Sequence, residues 1–132
     1  MAKASTEKYI VKPQKIRDLA YHYMAEAEKE LGPSFRMMDR SVVPESDITL
    51  IVRKIERNPG AGYKKTELHT HDVNKVYAFV GDGLKSEVII GDDHHVITAP
   101  GAVFIPAGTK HGYRPISGTG YLIMAMRKGE YP

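Results

Sequence analysis

Apolar positions along the chain follow one spacing near the N-terminus and another after residue 48. In residues 13–31, PQKIRDLAYHYMAEAEKEL, they recur at Ile16, Leu19, Ala20, Tyr23, Met24, Ala27 and Leu31. Steps of three and four predict an amphipathic helix. Pro13 suits its first turn and Gly32-Pro33 supplies a stop. Glu26, Glu28, Lys29 and Glu30 fall on the water side, so the stripe needs an apolar surface to lie on.

From Ile48 the spacing falls to two, the period of a strand. In ITLIVRKIER, Ile48, Leu50 and Val52 point one way and Thr49, Ile51 and Arg53 the other; which side faces inward is open. NPGAG at 58–62 reads as a loop. Short β-rich runs follow at 66–71, 76–80, 86–90, 95–98, 102–105, 111–114 and 121–126, separated by GDG, GDD, APG, PAGTK and SGTG. Evenly spaced short strands with Gly-rich turns predict a sandwich or barrel. RKIER at 53–57 reads as a charged strand edge, and Met124 and Met126 as barrel lining or interface. The expected layout is a helical extension over 1–41, a β-barrel over 42–127 and a polar tail over 128–132.

Composition narrows the function. A chain of 132 residues suits one domain with a real core. Nineteen basic and sixteen acidic residues leave a charge of +3, scattered rather than clustered, so a nucleic-acid partner is not expected. There is no cysteine, which excludes thiolate metal sites and cysteine nucleophiles. No apolar run is long enough to span a bilayer, and the start, MAKASTEKYIVKP, has no apolar leader segment. No membrane partner is expected, and the location expected is cytoplasmic.

The candidate chemistry lies in ELHTHDVNKVYAF, residues 67–79. On a strand, His69 and His71 share one face, and two imidazoles so placed can hold one cation. A His-x-His pair alone is a weak signal. His111, just after the turn at Pro106-Ala107-Gly108, can return beside it and complete a nitrogen-rich site with open coordination positions. Lys75, Tyr77 and Phe79 share a face by the same rule, as do His111 and Tyr113. Lys75, Tyr77 and Tyr113 are therefore the candidate catalytic groups, although core packing explains either tyrosine equally well. Arg114 points away from His111. His94 and His95, beside Asp92-Asp93, read as a polar hairpin turn in water, and His22 as a helix residue placed by packing or exposure.

Gly62, His69-Thr70-His71 and Gly81, followed by Gly101, Pro106, Gly108 and His111 in GAVFIPAGTKH, resemble the two sequence motifs of the cupin superfamily. The resemblance covers roughly residues 48–126. It implies a mainly β fold, the double-stranded β-helix or jelly-roll barrel, here with an N-terminal α-helix, and often a homodimer. It also implies a divalent metal ion (Zn, Fe, Ni, Mn or Cu) on His69, His71 and His111. The family's motif carries a glutamate four residues after the second histidine, and this chain has Lys75 there. A protonated lysine cannot ligate a cation and repels one at close range.

Three outcomes follow. The three histidines bind metal alone while Lys75 swings aside or pairs with Asp72 or Asp82; Glu67 substitutes as the carboxylate, though a solvated strand start explains it better; or no metal binds. The function expected is a metal-binding cupin-type protein acting on a small anionic or oxygenated molecule by dioxygenase-, isomerase- or lyase-like chemistry. The alternative is a non-catalytic binder with a metal-free cationic pocket around Lys75.

Overall fold

The structure, a computed structural model, describes residues 6–16, 31–58 and 68–128. Its elements there are nine strands: β1 (Gln14–Lys15), β2 (Ser34–Met38), β3 (Thr49–Ile55), β4 (Lys75–Val80), β5 (Lys85–Ile90), β6 (Asp93–Thr98), β7 (Gly101–Ile105), β8 (His111–Ser117) and β9 (Gly120–Met126). They form two antiparallel sheets, one of six strands in the order β1-β2-β3-β9-β4-β7 and one of three in the order β6-β5-β8.

Alternation decides which side of each strand is dry. In β3, Thr49, Ile51, Arg53 and Ile55 are buried while Leu50, Val52 and Lys54 face outward. In β4, Lys75, Tyr77 and Phe79 are buried, and in β9 Leu122, Met124 and Met126. The inner faces meet in one core, where Val88 and Tyr113 of the small sheet pack with Ile51, Tyr77, Phe79 and Leu122 of the large one. Each fully buried aliphatic or aromatic side chain there contributes on the order of 2 kcal/mol of transfer free energy. A close backbone approach seals one end. Gly118 has φ +79°, and a Cβ there would stand 2.1 Å from the Gly83 carbonyl oxygen, so only glycine fits. Asn58 Nδ2 donates to the Gly118 carbonyl.

Several expectations need correction. The helix does not start at Pro13: Gln14 and Lys15 pair with Arg36 and Phe35 as a strand. Residues 17–30, which hold the rest of that expected helix and His22, lie outside the described residues. Ser34–Met38, inside the expected helical extension, is a strand paired with β3. With β2 on one side and β9 on the other, β3 is interior, so RKIER does not mark a charged edge. Sheet pairing there outweighs the local charge pattern. His94 and His95 are exposed as expected, but they lie within β6 and not in the preceding turn. Among the described residues, no helix is long and apolar enough to cross a membrane.

A candidate metal centre inside the barrel

His69 and His111 form a reciprocal backbone pair. The His69 N–H donates to the His111 carbonyl at 3.1 Å, and the His111 N–H donates to the His69 carbonyl at 2.9 Å. Directly opposed residues of an antiparallel ladder put their side chains on one face, and His71, two residues on, shares it. The three rings accordingly lie together, with centroids 4.7 Å (His69–His71), 4.6 Å (His69–His111) and 5.3 Å (His71–His111) apart. All three are buried. One nitrogen of each lies within 4.8 Å of those of the other two, so the group could hold a metal ion. Glu67 lies outside the described residues, as does Gly62.

The hydrogen bonding of His111 fits that use. Its Nδ1 stands 2.8 Å from the Thr109 carbonyl oxygen, which can only accept, so Nδ1 carries the proton. Nε2 is left with its lone pair, buried and without a hydrogen-bond partner. A buried lone pair with nothing to accept is costly and is what a cation satisfies.

Electrostatics keep the His71 and His111 rings neutral. Burial is the main cause that takes His71 from its ordinary 6.5 down to about 3, with repulsion from Lys75 and the other two histidines added. Burial likewise lowers His111 to about 4, against the opposing hydrogen bond to Thr109. Neutral imidazoles are the form that ligates metal.

Lys75 is 1% exposed. Its Nζ stands 4.9 Å from the centroid of the Tyr77 ring, a cation–π contact. Burial lowers its amine from 10.5 to about 7. The expected acidic neighbours lie elsewhere. Asp72 pairs with Lys128 Nζ at 3.1 Å. Asp82 is exposed beyond the far end of β4, and a strand of that length spans roughly 17 Å. Tyr77 packs edge-on against His111, with ring centroids 5.8 Å apart. Tyr113 lies behind it, 5.6 Å from Tyr77. Phe79 follows Tyr77 on the same buried face, at 6.3 Å. Met126 and Met124 stand opposite Lys75 and Tyr77 in the ladder, both buried. Arg114 is directed elsewhere, with Nε 3.5 Å from Glu87.

The structure settles one facing that the sequence left open and adds one residue that sequence reasoning missed. Arg53 faces inward and is 1% exposed, with Nη1 donating to the Gly32 carbonyl at 2.7 Å. Alternation groups it with Thr49 and Ile51 without telling which side is inward, and the structure buries that side. Asn74 accepts from the Ala107 backbone N–H at 2.9 Å, a contact across 33 residues that no local pattern announces.

No family model and no curated protein matches the chain. Solved structures do. An RmlC-like cupin from Shewanella frigidimarina NCIMB 400 superposes over 64% of this chain and 68% of its own, with TM-score 0.51 and 18% identity. The polyketide cyclase RemF from Streptomyces resistomycificus covers 87% and 82%, with TM-score 0.58 and 16% identity. Oxalate decarboxylase from Bacillus subtilis, a protein with Mn(II) centres, covers 93% of this chain and 31% of its own, with TM-score 0.61 and 16% identity. Likeness at such low identity is a statement about backbone architecture, and the architecture is plain: this chain has the cupin fold.

Proposed function

We propose that the barrel holds one divalent metal ion through His69, His71 and His111 and binds a small anionic or oxygenated molecule beside it. One observation carries this: three buried imidazoles with nitrogens within 4.8 Å of one another, in which His111 Nε2 has no hydrogen-bond partner in the protein. The likeness to a decarboxylase with Mn(II) centres supports it. Nitrogen donors suit Zn, Fe, Ni and Cu, and Mn less well.

The charges described around the site support this class of ligand. Among the described residues, Asp39 is the one buried carboxylate, and it pairs with Arg36 at 2.8 Å. Three neutral imidazoles cancel none of a cation's charge, and Lys75 adds to it when protonated. An anion or a polarisable oxygen restores balance. A metal here would supply Lewis acidity, or redox chemistry if iron or copper is bound, as dioxygenase-, isomerase- or lyase-like reactions require. The chain's own groups do the rest. Lys75 attracts the anionic end of the ligand and, with an amine near 7, can give or take a proton close to neutrality. Tyr77 and Phe79 close the apolar wall and keep water out.

A specific observation favours a second reading, a metal-free cationic pocket that binds without turnover. Lys75 already pushes down the proton affinity of His71 and His111, and the same repulsion opposes an incoming metal ion. Elemental analysis of the purified protein decides between the two. We expect stoichiometric metal in the native chain, its loss in His69→Ala, and tighter binding in Lys75→Glu. Metal absent from the native chain but gained by Lys75→Glu would establish the second reading. The assembly we propose is a homodimer, supported by the apolar outer face of the large sheet around Ile48 and Phe104, which are 50% and 58% exposed; light scattering would test it.

A further inference from the structure

We infer that Asn74 is a positioning residue for the histidine cluster: its side-chain oxygen clips the turn before His111 to the segment after His71, and so fixes which nitrogen of His111 faces the site. This rests on the metal-site reading for its purpose, but not for its test.

The contacts form a short chain. The Ala107 N–H donates to Asn74 Oδ1 at 2.9 Å. The next residue's amide, Gly108 N–H, donates to the His71 carbonyl at 2.8 Å. The turn is closed by the Thr109 N–H donating to the Pro106 carbonyl at 3.1 Å. Its last carbonyl, that of Thr109, takes the proton of His111 Nδ1 at 2.8 Å. The 106–109 turn is therefore held from the first histidine segment at two adjacent amides, and it presents the acceptor that sets the His111 tautomer. Because the partner of Asn74 is a backbone N–H, the amide oxygen must be the atom that faces it.

Position explains why two tethers are needed. Gly108 has φ +78°, and the turn itself is exposed at Pro106, Ala107 and Gly108, so packing does little to hold it. The two ends of the turn are fixed, Ile105 by its pairing with Lys75 and the Lys110 carbonyl by the Gly91 N–H at 2.7 Å, but the tip between them is held to the histidine segment by the His71 carbonyl at only one point. Asn74 Oδ1 supplies the second point and stops the rotation that would carry the Thr109 carbonyl away from the imidazole. Groups that orient a metal-ligating histidine typically change metal affinity by 10- to 100-fold when removed. A clip one step further out should cost less, about 3- to 10-fold by the same scale.

The test uses the full chain with Asn74→Ala, which removes the acceptor, and Asn74→Asp, which keeps one. In metal-free protein at neutral pH, nitrogen-15 NMR of the His111 ring reports its tautomer. The native chain and Asn74→Asp should show a single Nδ1–H form, and Asn74→Ala a mixture. Zinc affinity by competition with a chelator should fall by about 3- to 10-fold in Asn74→Ala and within twofold not at all in Asn74→Asp. A pure Nδ1–H form in Asn74→Ala would overturn the role, as would mixtures in both variants. Should no variant bind zinc, the metal-site reading fails, while the tautomer result still decides the role of Asn74.

Discussion

Arg53 and Lys75 are both buried cations on the inner face of the six-stranded sheet, and their surroundings differ. The ladder gives three inward rows: Thr49–Met126–Lys75, Ile51–Met124–Tyr77 and Arg53–Leu122–Phe79. One row lies between the cations, which stand roughly 14 Å apart along the strands. Arg53 sends its guanidinium to a backbone carbonyl of the chain entering the sheet, Gly32, at 2.7 Å. Lys75 lies over the Tyr77 ring, close enough to the histidines to lower the proton affinity of His71 and His111. A guanidinium keeps its charge and its fork of donors wherever it is placed, which suits fastening a strand crossing. A lysine amine gives up its proton when desolvated, and burial has lowered this one to about 7. One end of the barrel fastens a strand crossing, and the other holds an amine whose charge burial has made easy to lose.

Substitutions at the two positions should therefore act in opposite directions. Arg53→Ala removes a buried stem and strands the Gly32 carbonyl, and should cost about 3 kcal/mol in denaturant unfolding while leaving metal content unchanged. Lys75→Met removes a desolvated amine and keeps the volume, so stability should rise by about 1 kcal/mol while affinity for small carboxylates falls. Equal losses of stability at both sites would mean that Lys75 is a structural anchor like Arg53, and the comparison would collapse.

A smaller effect separates the ends by pH. His71 and His111 have folded pKa values of about 3 and about 4, below the ordinary 6.5. The unfolded chain thus binds more protons between those limits, and stability must fall as pH drops from about 6.5 toward 4. Lys75, lowered from 10.5 to about 7, makes the unfolded chain the better proton binder in that window. Its contribution to stability must rise as pH climbs from about 7 toward 10. Thermal unfolding of metal-free protein should show both slopes, with the alkaline one reduced in Lys75→Met. An unaltered alkaline slope in that variant would assign the rise to another group.

Much of this was legible in the residues. Strand period two put Lys75, Tyr77 and Phe79 on one pocket-facing side and Met124 and Met126 together as barrel lining or interface, and the turn at Pro106-Ala107-Gly108 allowed His111 to return beside His69. What the pattern could not show depended on partners distant in sequence. SFRMM has no alternation of its own, and β2 exists because β3 offers its ladder. Gln14-Lys15 carries helix-compatible residues yet is drawn into pairing with Arg36 and Phe35. RKIER looked like a charged edge because its neighbours β2 and β9 were not visible from it. Asn74 was silent for the same reason, its partner being Ala107. Side-chain period travels with the sequence, whereas hydrogen-bond partners are set by the whole sheet.

The most direct test is an anomalous difference map from crystals of the native protein, collected above and below the absorption edge of the metal it carries. We predict one peak bonded to His69, His71 and His111, about 2.0–2.2 Å from a nitrogen of each ring. A site without anomalous density, holding instead an organic anion against Lys75, would contradict the metal centre and leave the cationic pocket in its place.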